Sequence, residues 1–153
     1  MRVKVILAFA LLWILPEIGL GQLDIKLEEW PVRAYEIFEE NGEAEGAQAF
    51  EEGMKLALAQ GKHAIYLELL HDLGAAYTYI MGEPDAVISK LSEVYHLPFA
   101  PQSLDEYKFM AAIYVSLGYT YSLDLGQYAE ALIPFKQAYE VFEEDLQERT
   151  AYR

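Results

Sequence analysis

A stretch beginning at Leu73 is repeated 44 residues later. Leu73-Gly74-x-x-Tyr77 returns as Leu117-Gly118-x-x-Tyr121, and at the same offset Gly82 becomes Gly126 and Val87 becomes Ala131. Leu91 likewise becomes Phe135, Val94 becomes Ala138 and Tyr95 becomes Tyr139. Chance can match a few apolar pairs, but not a Leu-Gly-x-x-Tyr block and a turn glycine in one register. A period of this length with two helices per unit is the mark of a stacked helical array, because one unit cannot bury its apolar face alone.

Helical periodicity runs through the rest of the chain, with no alternating strand-type runs. Six helices are expected, at about 26–40, 44–60, 62–81, 83–97, 103–125 and 127–148. Their ends carry recognisable signals. Asn41-Gly42 closes the first, Gly61 the second and Gly82 the third. Ala47, Phe50, Met54, Ala57 and Leu58 form the apolar stripe of the second. Pro84 opens the fourth, where its missing N–H costs nothing. The segment Leu97-Pro98-Phe99-Ala100-Pro101 excludes helix. Ser103-Leu104-Asp105-Glu106 is a capping box for the fifth. Gly74 and Gly118 fall mid-helix, where glycine costs about 1 kcal/mol against alanine. Close approach of the following helix is the expected compensation.

Leu117-Gly118, Tyr121, Gly126, Tyr128, Ala131, Phe135 and Ala138 resemble, in order, the tetratricopeptide (TPR) pattern, with one extra residue before the turn. The middle unit keeps Leu73-Gly74, Tyr77 and Gly82 but has Val87, Leu91 and Val94 in the second helix. The first unit is weakest, with Trp30, Ala34, Gly42, Ala47 and Met54 near expected places and Glu51 where an aromatic belongs. The period of 44 exceeds the usual 34 of these repeats and also suits HEAT-like units. The resemblance implies an all-α fold, an α-solenoid of about three antiparallel helical hairpins, over residues 22–153.

Residues 1–21 read as a secretory signal peptide. Arg2 and Lys4 precede an apolar run from Val5 to Leu15, Pro16-Glu17 breaks it, and Gly19-Leu20-Gly21 offers a cut before Gln22. That run is too short to span a bilayer, which needs about 20 residues. An uncleaved anchor from Val5 to Leu20 is the alternative. The only asparagine, Asn41, is followed by Gly-Glu, so no N-glycosylation sequon exists. Export to a bacterial periplasm or medium is the expectation.

Charge and composition narrow the functions. With 11 Lys+Arg against 25 Asp+Glu the net charge is −14. Nucleic acid and anionic lipid, which require basic patches, are not expected partners. The chain has no cysteine, which removes disulfides, thiolate metal sites and thiol nucleophiles. No G-x-S-x-G, Ser-x-x-Lys or phosphate loop is present. Glu68-x-x-His71 and Glu93-x-x-His96 have the spacing of a di-iron bundle motif. The repeat places His71 and Glu93 on different sides of their hairpin, so an enzyme, a metal and a cofactor are not expected. His63, at a helix start, reads as solvated.

The expected activity is protein binding. Tyr66, Tyr77, Tyr95, Tyr121 and Tyr139 fall at repeat core positions. A concave groove lined by first-helix positions would present Glu68, His71, Ala75, Thr78 and Tyr79 from the middle unit. Val115, Tyr119 and Ser122 would come from the last unit, and Glu28, Tyr35 and Phe38 from the first. Solenoids hold extended peptides or helices on such surfaces. TPR proteins that grip a carboxylate use basic side chains there, and this groove has none, so that activity is not carried over. Nine acids with one base, Arg33, fill 28–52, and Glu140, Glu143, Glu144, Asp145 and Glu148 fill the last helix. These read as solvated faces and an end cap, with docking of a basic partner as the functional alternative. A second reading is a self-assembly or docking element opening a longer repeat protein.

Overall fold

The glycines, prolines and caps place the helix boundaries, and the computed structural model follows them closely. It describes residues 26–151, with side chains as far as Glu144. The leader read at 1–21 lies outside the described residues. A short 3₁₀ turn, Leu27–Glu29, leads into α1, Trp30–Asn41. Helix α2 is Glu43–Ala59 and α3 is His63–Ala76. Helix α4, Pro84–Leu91, tightens into a 3₁₀ segment at Ser92–His96. Helix α5 is Leu104–Tyr119 and α6 is Tyr128–Ala151. The described residues form these six helices and no strand, and none of the helices is long and apolar enough to cross a membrane.

Helices α3 and α5 end in the same kind of turn. Each runs into a five-residue π turn, Tyr77–Met81 and Thr120–Asp124. A π turn holds one residue more than an α turn, which is how both hairpins accommodate the extra residue ahead of the turn glycine. Gly82 and Gly126 then adopt φ 67°, a left-handed conformation that glycine enters without penalty. The N–H of Glu83 reaches the Tyr77 carbonyl at 3.1 Å, and that of Gln127 reaches Tyr121 at 2.7 Å. Donor and acceptor are each 44 apart between the two hairpins. Thr78 donates its hydroxyl proton to the Gly74 carbonyl at 3.0 Å, and Ser122 donates to Gly118 at 2.8 Å. The repeat in sequence is therefore a repeat in hydrogen bonding.

Packing repeats too. A Cβ at Gly74 would lie 2.6 Å from Leu91, and one at Gly118 would lie 2.5 Å from Phe135. The second helix of each pair presses a large side chain onto the bare backbone of the first, which offsets the cost of a mid-helix glycine. The first pair reverses this. Trp30 of α1 lies over Gly53 of α2, and Phe38 over Gly46. The Trp30 indole N–H donates to the Ala49 carbonyl at 2.7 Å. The buried stripe of α2 is thus Gly46, Ala49, Phe50, Gly53, Met54 and Ala57, while Leu58 is exposed. Knob and socket have changed helices, and this is why Glu51 need not be aromatic.

Consecutive helices pack in pairs across these turns. In addition, α3 contacts α1, α2 and α5, so the odd-numbered helices form a continuous row. Leu67, Leu69, Leu70 and Leu73 of α3 are completely buried at its centre.

The start of α5 is held as the capping box requires. Ser103 Oγ accepts from the Glu106 N–H at 3.3 Å, and Glu106 Oε2 accepts from the Gln102 N–H at 2.6 Å. The returning carboxylate reaches one residue further back than the usual box, and Glu106 is buried there. Ser103→Ala and Glu106→Ala should each lower stability by about 1 kcal/mol. In urea unfolding the double variant should lose less than the sum, because the two bonds secure one turn. Full additivity would show that the two caps act independently.

Several tyrosines and one histidine depart from the sequence expectation. Tyr139 is exposed, and Tyr95 is only partly covered, by the ring of Tyr114 at 5.2 Å. Among the described residues the buried tyrosines are Tyr107 and Tyr114 of α5, and Tyr114 meets Tyr95 of the preceding pair. His63 is not a solvated residue but stacks on Phe99 at 3.9 Å, nearly parallel. Tyr66 meets the same Phe99 edge-on at 5.7 Å. The proline-bounded linker therefore folds back over the start of α3.

Candidate functional site

Helix α3 is the common wall of two clefts. Side chains three and four positions apart share a helix face, so Glu68, His71, Asp72 and Ala75, with Thr78 and Tyr79 of the π turn that continues it, run along one side of it. Glu68 and Asp72 face α1 and line a cleft of about 350 Å³ with Pro31, Val32, Tyr35 and Glu36. His71, Ala75, Thr78 and Tyr79 face α5 and line a second cleft of about 370 Å³. From α5 and its π turn the second cleft receives Ser116, Tyr119, Thr120, Leu123 and Asp124. His71 and Asp72, adjacent in the chain, join the two through a contact at 3.1 Å from Nδ1 to Oδ1.

Seven of the eleven residues that the sequence assigns to the groove line these clefts: Tyr35, Glu68, His71, Ala75, Thr78, Tyr79 and Tyr119. Val115 and Ser122 lie outside them. The offset of 44 carries His71 and Thr78 onto Val115 and Ser122, but a helix shows each neighbour a different flank. The α5 flank turned to α3 holds Ser116, the equivalent of Asp72. Val115 packs partly buried against the core, and the Ser122 hydroxyl is committed to Gly118. Phe38 is not a groove residue either: it is fully buried, edge-on to Phe50 and Tyr77. Glu28 is exposed in the leading 3₁₀ turn. The residues missed from sequence include Asp72 on α3, Glu36 on α1, Ser116 on α5, and Leu123 and Asp124, which the π turn brings to the second cleft. For the last two, the unmatched residue ahead of Gly126 was the available signal.

The clefts are aromatic and acidic. Tyr79 is 82% exposed and Tyr119 54%, the latter backed edge-on by Phe135 at 5.6 Å. Glu36, Glu68, Asp72 and Asp124 supply carboxylates, and no Lys or Arg is among the lining residues. Partial burial, with the Asp72 charge next, raises the Glu68 carboxyl above its ordinary value. Burial foremost, then Glu39 and Asp72, raises Tyr35. The acidic stretch of α1 and α2 is largely exposed. Glu51 differs, because with Glu93 it binds Lys90 of α4, the latter pair at 2.8 Å. Glu93 therefore faces α2, away from His71. Among the described residues no three His, Asp or Glu side chains gather as metal ligands.

No protein-family description, curated protein or solved structure matches this chain.

Proposed function

We propose that the chain is a non-catalytic interaction module, a short TPR-like α-solenoid that holds an extended, basic protein segment along α3. The observation that carries this is the pair of clefts meeting on that helix, lined by tyrosines and carboxylates without a basic side chain. A lysine or arginine entering between Tyr79 and Tyr119 would lie against ring faces, an attraction of about 0.5–2 kcal/mol. Asp124 would supply the countercharge. The acidic surface of α1 and α2 would steer a cationic partner toward the groove. The π turns at the cleft mouth favour the same reading, since such turns gather at functional sites. The leader at 1–21 would send the module out of the cytoplasm, to a periplasm or the medium.

The test is a titration with labelled Lys/Arg-rich extended peptides and their Asp/Glu counterparts. The basic peptides should bind, and more weakly at high salt. Tyr79→Ala and Tyr119→Ala should each weaken binding about tenfold, a typical cost for an exposed aromatic anchor, with circular dichroism unchanged. Equal binding of acidic peptides would remove the charge argument. Unfolding of either variant would mean that the rings belong to the core.

A further inference from the structure

We infer that the outward strip of α6 is a self-association surface that pairs with α6 of a second copy of this chain. Tyr128, Leu132, Phe135, Tyr139 and Phe142 follow one another at spacings of four, three, four and three, the interval at which a helix presents a continuous seam to another helix. Phe135 is half-buried against Gly118 and Tyr119. The other four are open: Tyr128 is 70% exposed, Leu132 69%, Tyr139 64% and Phe142 53%.

The same surface is partly covered one repeat earlier. Leu132 and Tyr139 stand 44 residues after Ile88 of α4 and Tyr95 of its 3₁₀ extension. Ile88 packs against the core, and Tyr95 meets Tyr114 of α5. The strip on α6 is thus the position at which the preceding hairpin receives a helix, and among the described residues it has none. Helix α1 of another copy does not suit it. The outer side of α1 exposes Val32 among Glu28, Glu29, Glu36, Glu39 and Glu40, and those carboxylates would meet Glu140 and Glu144.

The strip does suit itself. An antiparallel pairing centred on Phe135 sets Tyr128 opposite the second copy's Phe142, and Leu132 opposite its Tyr139. Every exposed member then finds an apolar partner. At their exposures these side chains offer roughly 500 Å² per chain, so two copies bury about 1,000 Å², the threshold for a specific interface. Each copy carries a net charge of −14. Salt should therefore strengthen this association by screening like charges, the reverse of its effect on a basic partner in the groove.

Light scattering and sedimentation of the full chain test this at several concentrations, in low and high salt. A monomer–dimer equilibrium that tightens with salt is expected. The double variant Leu132→Ser/Tyr139→Ser should raise the dissociation constant at least about tenfold with unchanged helicity, since both side chains are exposed. The absence of cysteine gives a second readout. A single Lys136→Cys should couple to its twin through a short bifunctional thiol reagent, and Lys108→Cys on α5 should not. A strict monomer, a dimer indifferent to the double variant, or equal coupling at both cysteines would overturn the inference. None of these results depends on peptide binding in the groove.

Discussion

Gly53→Ala should destabilise the protein by about 2–4 kcal/mol, although alanine is the better helix former. The substitution gains about 1 kcal/mol in helix propensity. Against this, its Cβ would sit 1.9 Å from Trp30 Cδ1 and 2.1 Å from Nε1, so the indole must move. Overpacking of this kind costs about 1–3 kcal/mol and occasionally more. Displacing the ring also endangers its bond to the Ala49 carbonyl, a buried acceptor worth about 1–3 kcal/mol when left unmet. Chemical unfolding checks the sign, and a double-mutant cycle checks the cause. In a Trp30→Leu background the penalty should largely disappear, because the shorter side chain leaves room for the methyl group. If Gly53→Ala is equally costly with and without the tryptophan, the close approach is not what the glycine serves.

Raising the pH should unfold the chain between about pH 10 and 12, with ionisation of the buried tyrosines and loss of helix occurring together. Tyr114 is buried on α5, and burial, with lesser contributions from Tyr95 and Glu140, pushes its phenol up to about 12. Burial likewise raises Tyr66, Tyr77 and Tyr95. The sign follows from which state ionises first. Below pH 10 these phenols are neutral in both states, and the folded protein keeps its full stability. Above pH 10 the unfolded chain loses its protons while the folded chain holds them, so stability falls with pH until the folded value is reached. For Tyr114 alone the two-unit difference amounts to about 2.7 kcal/mol. Lys90 adds in the same direction. Although burial opposes its charge, hydrogen bonds to Glu51 and Glu93 hold its ammonium above the ordinary range, so those bonds weaken as the pH passes that range. Tyr114→Phe, which cannot ionise, should move the alkaline midpoint upward. If the phenolate absorbance that Tyr114→Phe removes already rises near pH 10 with helicity intact, that ring is open to solvent.

Much of this molecule was legible in one line of text because its determinants are local. The residue after a left-handed turn, the Ser-x-x-Glu of a helix start and the prolines of the 97–101 linker act on the backbone within a few bonds. Six helices and their ends follow from them. The equivalence of Gly74 with Gly118 was also visible, and the expectation that a neighbouring helix closes over both was met by Leu91 and Phe135. The first hairpin shows the limit. Residue types alone do not reveal that Trp30 fills a socket in α2 instead of offering one, since the choice depends on how two helices approach.

The candidate site divides along the same line. Periodicity selected the face of α3, because 3.6 residues per turn fixes which side chains share a side. On α5 it selected Tyr119 but not Ser116, since two helices meet through different flanks, and a π turn shifts everything beyond Tyr119. By itself, then, the sequence determined the helical class, the helix count, the repeat and the acidic character, all set by short-range stereochemistry and composition. Only the tertiary structure decided which tyrosines are buried, which carboxylates share a cleft and which face of α6 remains uncovered. Those outcomes depend on the angles and distances between helices far apart in the chain, and no local rule encodes them.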